Sequence, residues 1–435
     1  MYSNLMRISG VVMLPPMAKT LGISASMVGF LSSLFFYTYA VSFVVWGTVA
    51  DRIGPFVTCG ISLVVAAAAS MILAYSETPS AIGLGRALSG LGLSSAFTSI
   101  MLYTAHSFSK ERYSVLVGII MMIGHSGTVV AIAPLGHAMD RLGITGVYLT
   151  MGAAALVIGL LMLLLRRSDP VLLQDKKDSR PISLSRFRAD VTDGARIITD
   201  SFPLLVIVLT WVTSSASIST LQGLWAVSWL QTTTGMGIYS CRSCATWISI
   251  GMVIGPLAGG FVVKRTRGMK MPFLIMCIMT QLSWIFWMAA SLLSMGAYVL
   301  GTAGFLTGFF SGMAFVYMGS AIRDLTPTRS TGTVIGLLNL MIYGLLILFQ
   351  WGTGFTLDLF TADKVSGYYS QTGYQVGFGI ILLIQGYSFY LITKTKSFSK
   401  RQISRTWITS RDPGYYFFAL KTNSWTEPRK FTVQS

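Results

Sequence analysis

A chain of 435 residues that is 53% hydrophobic and only 11% charged, with a mean hydropathy of +0.66, is far more apolar than a water-soluble domain, where about 25% of residues are charged. The net charge of +17 could suit nucleic acid, but the basic residues sit beside long apolar runs, which is the pattern of a membrane protein. Four cysteines, Cys59, Cys241, Cys244 and Cys277, are too few and too scattered for a disulfide framework.

Apolar runs fall at about 1–17, 27–46, 56–75, 80–104, 114–138, 145–165, 203–230, 243–263, 272–293, 297–321, 332–356 and 374–393. Each is too long for a strand. Backbone in lipid must satisfy its own hydrogen bonds, so each is predicted to be a membrane-spanning helix. The first run is short, contains Arg7 and ends in Pro15-Pro16, and is expected to lack the beginning of its helix. The second is followed at once by "GTVADRIG", where Asp51 and Arg52 stand between Gly47 and Gly54. The fourth contains "GLGRALSGLGLSS", with Arg86 inside the apolar stretch; much of the chain's glycine lies within spans, where small residues let helices approach closely.

His125 lies midway through the fifth run in "GHSG", two turns before Pro134. Segment 166–200 is charged with both signs and carries prolines, and it divides the runs six and six. In the seventh run Gln222, Trp225 and Trp229 share one face at 100° per residue; in the eleventh Asn339, Tyr343 and Gln350 do so. Tyr39 lies in the second run. These polar and aromatic stripes suit a wet cavity for an organic solute and equally suit hydrogen bonding between helices. Cys241 and Cys244 read as a metal or redox pair or as two small residues at a helix end, and no histidine lies nearby.

Of the 32 Lys and Arg residues, 26 fall in the loops near 47–55, 105–113, 166–200, 264–271 and 322–331 and in the segment after 393. Only Lys19, Arg141, Arg242 and Lys364 lie toward the other face. This asymmetry predicts that the first group, here called the basic face, is cytoplasmic, with both termini on it. The two halves also echo each other: Gly47-x-x-x-Asp51-Arg52 follows the second run, and Gly260-x-x-x-Lys264-Arg265 follows the eighth. Internal repeats in a polytopic chain point to a secondary transporter with its site between the repeats.

On these residues the chain resembles the major facilitator superfamily. "GTVADRIG" is similar to that superfamily's G-x-x-x-D-R-x-G-R-R/K signature, although Pro55 and Phe56 replace its basic ending. "GRALSG" is similar to the R-x-x-x-G element of helix four, and "GLWAVSWL" to helix seven of sugar-phosphate-permease-like members. The resemblance implies that Gly47, Asp51, Arg52 and Gly54, with Gly260, Lys264 and Arg265, form a gate on the cytoplasmic side. It also implies that Arg7 faces the central cavity and contacts an anion. Where organophosphate exchangers carry a second Arg on helix seven, this chain has Ser219 and Thr220 in "SISTLQGLW", which favours a singly charged solute.

The spans hold no Asp or Glu, since all fifteen acids fall in loops, at span ends or in the last segment. Charge within a span is expensive and marks function, so Arg7 and Arg86 are candidates; Arg86 serves substrate or coupling, or packs against helix carbonyls. The expected fold is an all-α membrane protein of twelve transmembrane helices in two six-helix bundles. Residues 1–165 and 202–393 are the bundles, 166–201 a cytoplasmic linker and 394–435 a basic cytoplasmic tail.

The expected function is secondary active transport of a small organic anion, a carboxylate or sugar-phosphate-like solute, by alternating access. The substrate contacts would be Arg7, Tyr39, Arg86, His125, Gln222, Trp225, Asn339 and Tyr343. A drug or metabolite exporter and a transporter-like membrane sensor are the alternatives. No P-loop is present, and the three histidines are dispersed, so neither ATP-driven transport nor intramembrane enzymology is indicated. No catalytic residue, metal or cofactor is called for; the expected partners are the solute and the lipid bilayer, with the chain a monomer in the cell (inner) membrane.

Overall fold

The computed structural model describes residues 1–108, 110–169, 184–266, 270–326, 331–361 and 369–395. Described regular structure is helical throughout. The first half contains α1 (Tyr2–Ile8), α2 (Gly10–Leu21), α3 (Ala25–Ile53), α4 (Pro55–Ala74), α5 (Pro79–Leu93), α6 (Ser95–Ser107), α7 (Lys110–Val130) and α8 (Ala133–Leu164). The second contains α9 (Leu184–Asp200), α10 (Phe202–Thr220), a π-helical turn (Leu221–Trp225), α11 (Ala226–Thr234), α12 (Ile238–Thr266), α13 (Lys270–Leu292), α14 (Ala297–Leu325), α15 (Thr331–Phe360) and α16 (Gln371–Lys394). Among the described residues nine stretches are long and apolar enough to cross a bilayer. The pairs α1–α2 and α5–α6 and the helix beginning at α7 bring the crossings to twelve.

Two boundaries differ from the sequence reading. The first crossing does not end at Pro15-Pro16; α2 runs through both prolines to Leu21. A proline in a helix forfeits only its own N–H bond and strains the preceding turn, and this helix tolerates both. Its one irregularity is at Ser9, between α1 and α2, where the dihedrals stay helical (φ −54°, ψ −22°). The turn between the fifth and sixth crossings is a single residue, Gly143, at φ +69° inside α8. Within the connection 166–201 the described part beyond Asp169 is mostly the amphipathic helix α9. Ile198 is buried while Arg196 and Thr199 are exposed, and Gly194 packs on Thr333 and Leu337 of α15.

Glycine determines how closely neighbouring helices pack within a bundle. A side chain on Gly251 or Gly255 of α12 would meet the backbone of Phe305 or Phe309 on α14, and one on Gly308 would meet the backbone of Ile248 in return. In the first half Gly60 of α4 and Gly159 of α8 are opposed in the same way. Such contact trades side-chain volume for close backbone packing, the usual solution where lipid supplies no hydrophobic drive.

Among the described residues, the buried contact between the two bundles lies away from the basic face. A single buried cluster continues across both bundles, from Phe35, Leu73 and Met151 to Trp225, Cys244 and Phe378. A second cluster, including Leu204, Val212, Phe273, Leu325 and Phe389, belongs to the second bundle alone and lies toward the basic face.

Candidate functional site: a central cavity open to one face

A cavity of about 1250 Å³ lies between the bundles. Its walls come from α1, α3, α6 and α7 on one side and α10, α12, α14 and α15 on the other. It reaches Thr333 and Ile335, near the start of α15, and Pro256 and Leu257, toward the end of α12. Both positions lie toward the basic face, so the cavity extends from the centre of the membrane to that side.

Among the described residues that line it, Arg7 is the only Lys or Arg, and there is no Asp or Glu. Just beyond Arg7, Ser9 Oγ donates to Met6 O at 2.8 Å, where α1 passes into α2. The guanidinium sits beside the hydroxyls of Tyr343 and Tyr39, whose rings stand edge to face with centroids 5.4 Å apart. Phe36 stacks on Tyr343 at 5.9 Å. Nε of Arg7 is buried without a hydrogen-bond partner. A planar cation held by phenols, with no acid to neutralise it, is a donor fork awaiting an oxyanion.

His125, Gln222 and Asn339 also line the cavity. Gln222 donates from Nε2 to Ser249 Oγ, and Asn339 Nδ2 donates to Ile335 O at 3.1 Å. Asn4, Trp211, Ser215, Met252 and Phe315 complete much of the wall. None of these five carries a sequence signal that separates it from ordinary span residues.

Two expected contacts are placed elsewhere. Arg86 is fully buried and does not line the cavity. It donates from Nη1 to Met6 O and from Nη2 to Ser32 O, both at 3.3 Å, and lies 5.1 Å from the centroid of Phe35. It ties α5 to α1 and α3, the packing role that was the alternative for it. Trp225 is fully buried within the second bundle, edge-on to Tyr369 and Tyr374. The π-helical turn is the reason: wider winding over Leu221–Trp225 breaks the 100° register that had set Trp225 on the face of Gln222. Trp229 lies in the same aromatic group and donates to Ser291 Oγ at 2.8 Å.

Of the expected gate residues, Gly47, Asp51 and Arg52 belong to α3, but their side chains lie outside the described residues. Gly54 ends α3 at φ +85°, and a Cβ there would collide with the Asp169 carboxylate. That carboxylate accepts from Phe56 N at 2.9 Å and so caps α4. In the second copy Gly260 faces open space, and Lys264 and Arg265 are exposed; the glycine in close contact is its neighbour Gly259, against Met313. Cys241 and Cys244 donate to different carbonyls, Met236 O and Ala297 O.

The end of the cavity away from the basic face is closed by contacts between the bundles. Asp140 of α8 forms an ion pair with Arg242 of α12, whose side chain is almost wholly buried. One helical turn along α12, Thr246 Oγ1 accepts from Ala133 N, the first residue of α8, at 3.1 Å. On the other side of the molecule Asp358 of α15 caps the start of α3, accepting from Ala25 N and Ser26 N, both at 2.9 Å. Gly29 and Gly354 let α3 and α15 touch through their backbones, against Gln350 and Ala25 respectively.

A sequence profile described as "Major Facilitator Superfamily" matches residues 2–350. Over 211 residues the chain is 28% identical to an Oryza sativa subsp. japonica protein described as "Probable anion transporter 2, chloroplastic". That match covers 46% of this chain and 37% of the relative's length. Among solved structures, a bacterial homolog to the human lysosomal transporter Spinster, in an inward-facing and unoccupied conformation, superposes with a TM-score of 0.70 at 14% identity, covering 95% of this chain and 96% of the other. The nucleoside transporter NupG gives 0.67 at 12% identity, covering 90% and 98%. A D-xylose–proton symporter gives 0.64 at 13% identity, covering 91% and 96%. At these identities the structures share the fold alone.

Proposed function

This chain belongs to the major facilitator superfamily, and we propose that it moves a small organic anion across the membrane by alternating access. The observation that carries the reading is Arg7: a cation without an acid partner, set between two phenols at the inner end of a cavity that opens to one face. Charge at that depth is costly unless it is paired or used. An incoming carboxylate or phosphate supplies the missing counter-charge. The aromatic and thioether side chains of Trp211, Phe315 and Met252 in the same wall favour an anion with an organic body over a bare inorganic ion. An exporter of amphipathic cations would need an acid in the wall, and the described lining has none.

In this reading the basic face is cytoplasmic, in keeping with the distribution of Lys and Arg, and the chain acts as a monomer in a cell (inner) membrane. Residues 1–165 and 202–393 are the two moving bodies, and Tyr39, His125, Gln222, Asn339 and Tyr343 contact the solute beside Arg7. Gly47, Asp51, Arg52 and Gly54, with Lys264 and Arg265, gate the basic face. The contacts of Asp140 with Arg242 and of Asp358 with α3 hold the opposite face shut.

The test is uptake into proteoliposomes of labelled carboxylates and phosphate esters, with and without a pH gradient. Arg7→Ala is expected to abolish uptake. Arg7→Lys, which keeps the charge but not the planar fork, is expected to impair it severely with the protein still folded in detergent. Undiminished uptake by Arg7→Ala refutes the reading.

A further inference from the structure

One stripe of α15 runs from the cavity to the closed end. Asn339, Tyr343 and Leu346 line the cavity; Gly354 and Asp358, further along the same stripe, close it against α3. Between them stands Gln350, one helical turn beyond Leu346, fully buried. Both its amide nitrogen and its amide oxygen lack a hydrogen-bond partner. Nearly all buried polar side chains are paired, so an amide with neither atom satisfied calls for a reason. A leucine would fill this position without that cost.

The side chain points at an irregular part of the second bundle. Its Nε2 lies 3.7 Å from where a Cβ of Gly223 would be, in the middle of the π-helical turn. That turn is flanked by two more buried hydrogen-bonding atoms without partners, Thr220 Oγ1 and Trp225 Nε1. π-Helical turns inside α-helices occur frequently at functional sites. The unpaired amide of Gln350 thus faces the irregular turn of the seventh crossing, and it is a neutral group.

We propose that Gln350, set against the π-helical turn of the seventh crossing, is a second solute-binding layer, engaged when the path opens toward the face opposite the basic loops. This rests on the anion reading above and refines it. Arg7 holds the charged group, and Gln350 hydrogen-bonds a neutral hydroxyl or carbonyl oxygen of the same solute. Tyr343 and Gln350 are about two turns apart, ~10 Å along the helix, so a solute leaving Arg7 presents its other end to this layer. The class of solute is therefore a hydroxylated or oxo-substituted organic anion. An analogue lacking that oxygen leaves the amide unpaired, and sites built to hydrogen-bond a hydroxyl discriminate against such analogues strongly.

The first arm of the test needs no solute. In a chain with Cys59, Cys241, Cys244 and Cys277 replaced by serine, Gln350→Cys is treated from each side with a membrane-impermeant methanethiosulfonate reagent. Reaction is expected from the opposite face only, and at least tenfold faster when Asp358→Asn is added. Tyr343→Cys, reacting from the basic face, is the control. No reaction from the opposite face, with or without Asp358→Asn, overturns the proposal.

The second arm measures proteoliposome uptake of two matched pairs, 6-hydroxyhexanoate with hexanoate and 4-hydroxybutyl phosphate with butyl phosphate, in which the hydroxyl stands at the far end from the charge. The hydroxylated member should be preferred. Gln350→Leu should lower its uptake about three- to tenfold, the worth of one neutral hydrogen bond, and leave its partner within about twofold. Preference for the unsubstituted member, or equal loss for both, overturns the proposal. If all four solutes are refused, the anion reading fails instead, and labelling alone decides whether Gln350 lies on the path.

Discussion

Asp358→Ala tests how the closed face is held. The carboxylate accepts two backbone hydrogen bonds, from Ala25 N and Ser26 N, both at 2.9 Å. It also places a negative charge at the positive end of the α3 dipole. The two N–H groups it satisfies have no partner within the helix. A hydrogen bond to a charged group contributes about 1.5–3 kcal/mol, and the dipole adds about 0.3–1 kcal/mol. The opened state lets water solvate the same groups and recovers part of this. A net loss of about 2 kcal/mol is therefore expected, which shifts a two-state equilibrium about thirtyfold at 1.4 kcal/mol per decade.

The assay is a distance measurement between spin labels at Ser80 and Tyr298. Both are exposed, and they stand near the opposite-face ends of α5 and α14, one on each bundle. Asp358→Ala should transfer population to longer distances, and Asp358→Asn, which keeps an acceptor oxygen but loses the charge, should transfer less. A distance distribution identical to that of the unaltered protein in both variants refutes the clasp.

Arg86→Lys loses the two-pronged link to Met6 O and Ser32 O and should lower stability by about 1–3 kcal/mol, read as a fall in melting temperature in detergent. The half-saturating solute concentration should not change; the reverse pattern would return Arg86 to the solute site. Gly54→Ala puts a Cβ at φ +85° and against Asp169. It should destabilise the first bundle by about 1–3 kcal/mol, checked by the same melting assay. Asp51→Asn, on the expected gate of the basic face, should favour the form open to that face and slow transport. Faster labelling of Ser219→Cys in the cavity wall checks this, and an unchanged rate would leave Asp51 as a boundary marker.

The membrane class, the helical fold and the number of crossings were legible in the sequence, because each crossing must be apolar for about 20 residues on its own account. The same local constraint made Arg7 conspicuous, since a charge inside such a run stands out whatever surrounds it. Arg86 shows the limit of that argument. It is equally conspicuous, yet its donors end on carbonyls of α1 and α3, and only the packing of three helices tells the two arginines apart. Trp225 failed for a different reason: a face assigned by a regular 100° step does not survive a π-helical turn, and nothing in "LQGLW" announces one. Asp140, Arg242 and Asp358 looked like unrelated loop and span-end charges, separated by up to 218 positions along the chain. Their pairing depends on how the two bundles meet at one face, which is a property of the assembled pair of bundles, so only the tertiary structure decided which face is closed.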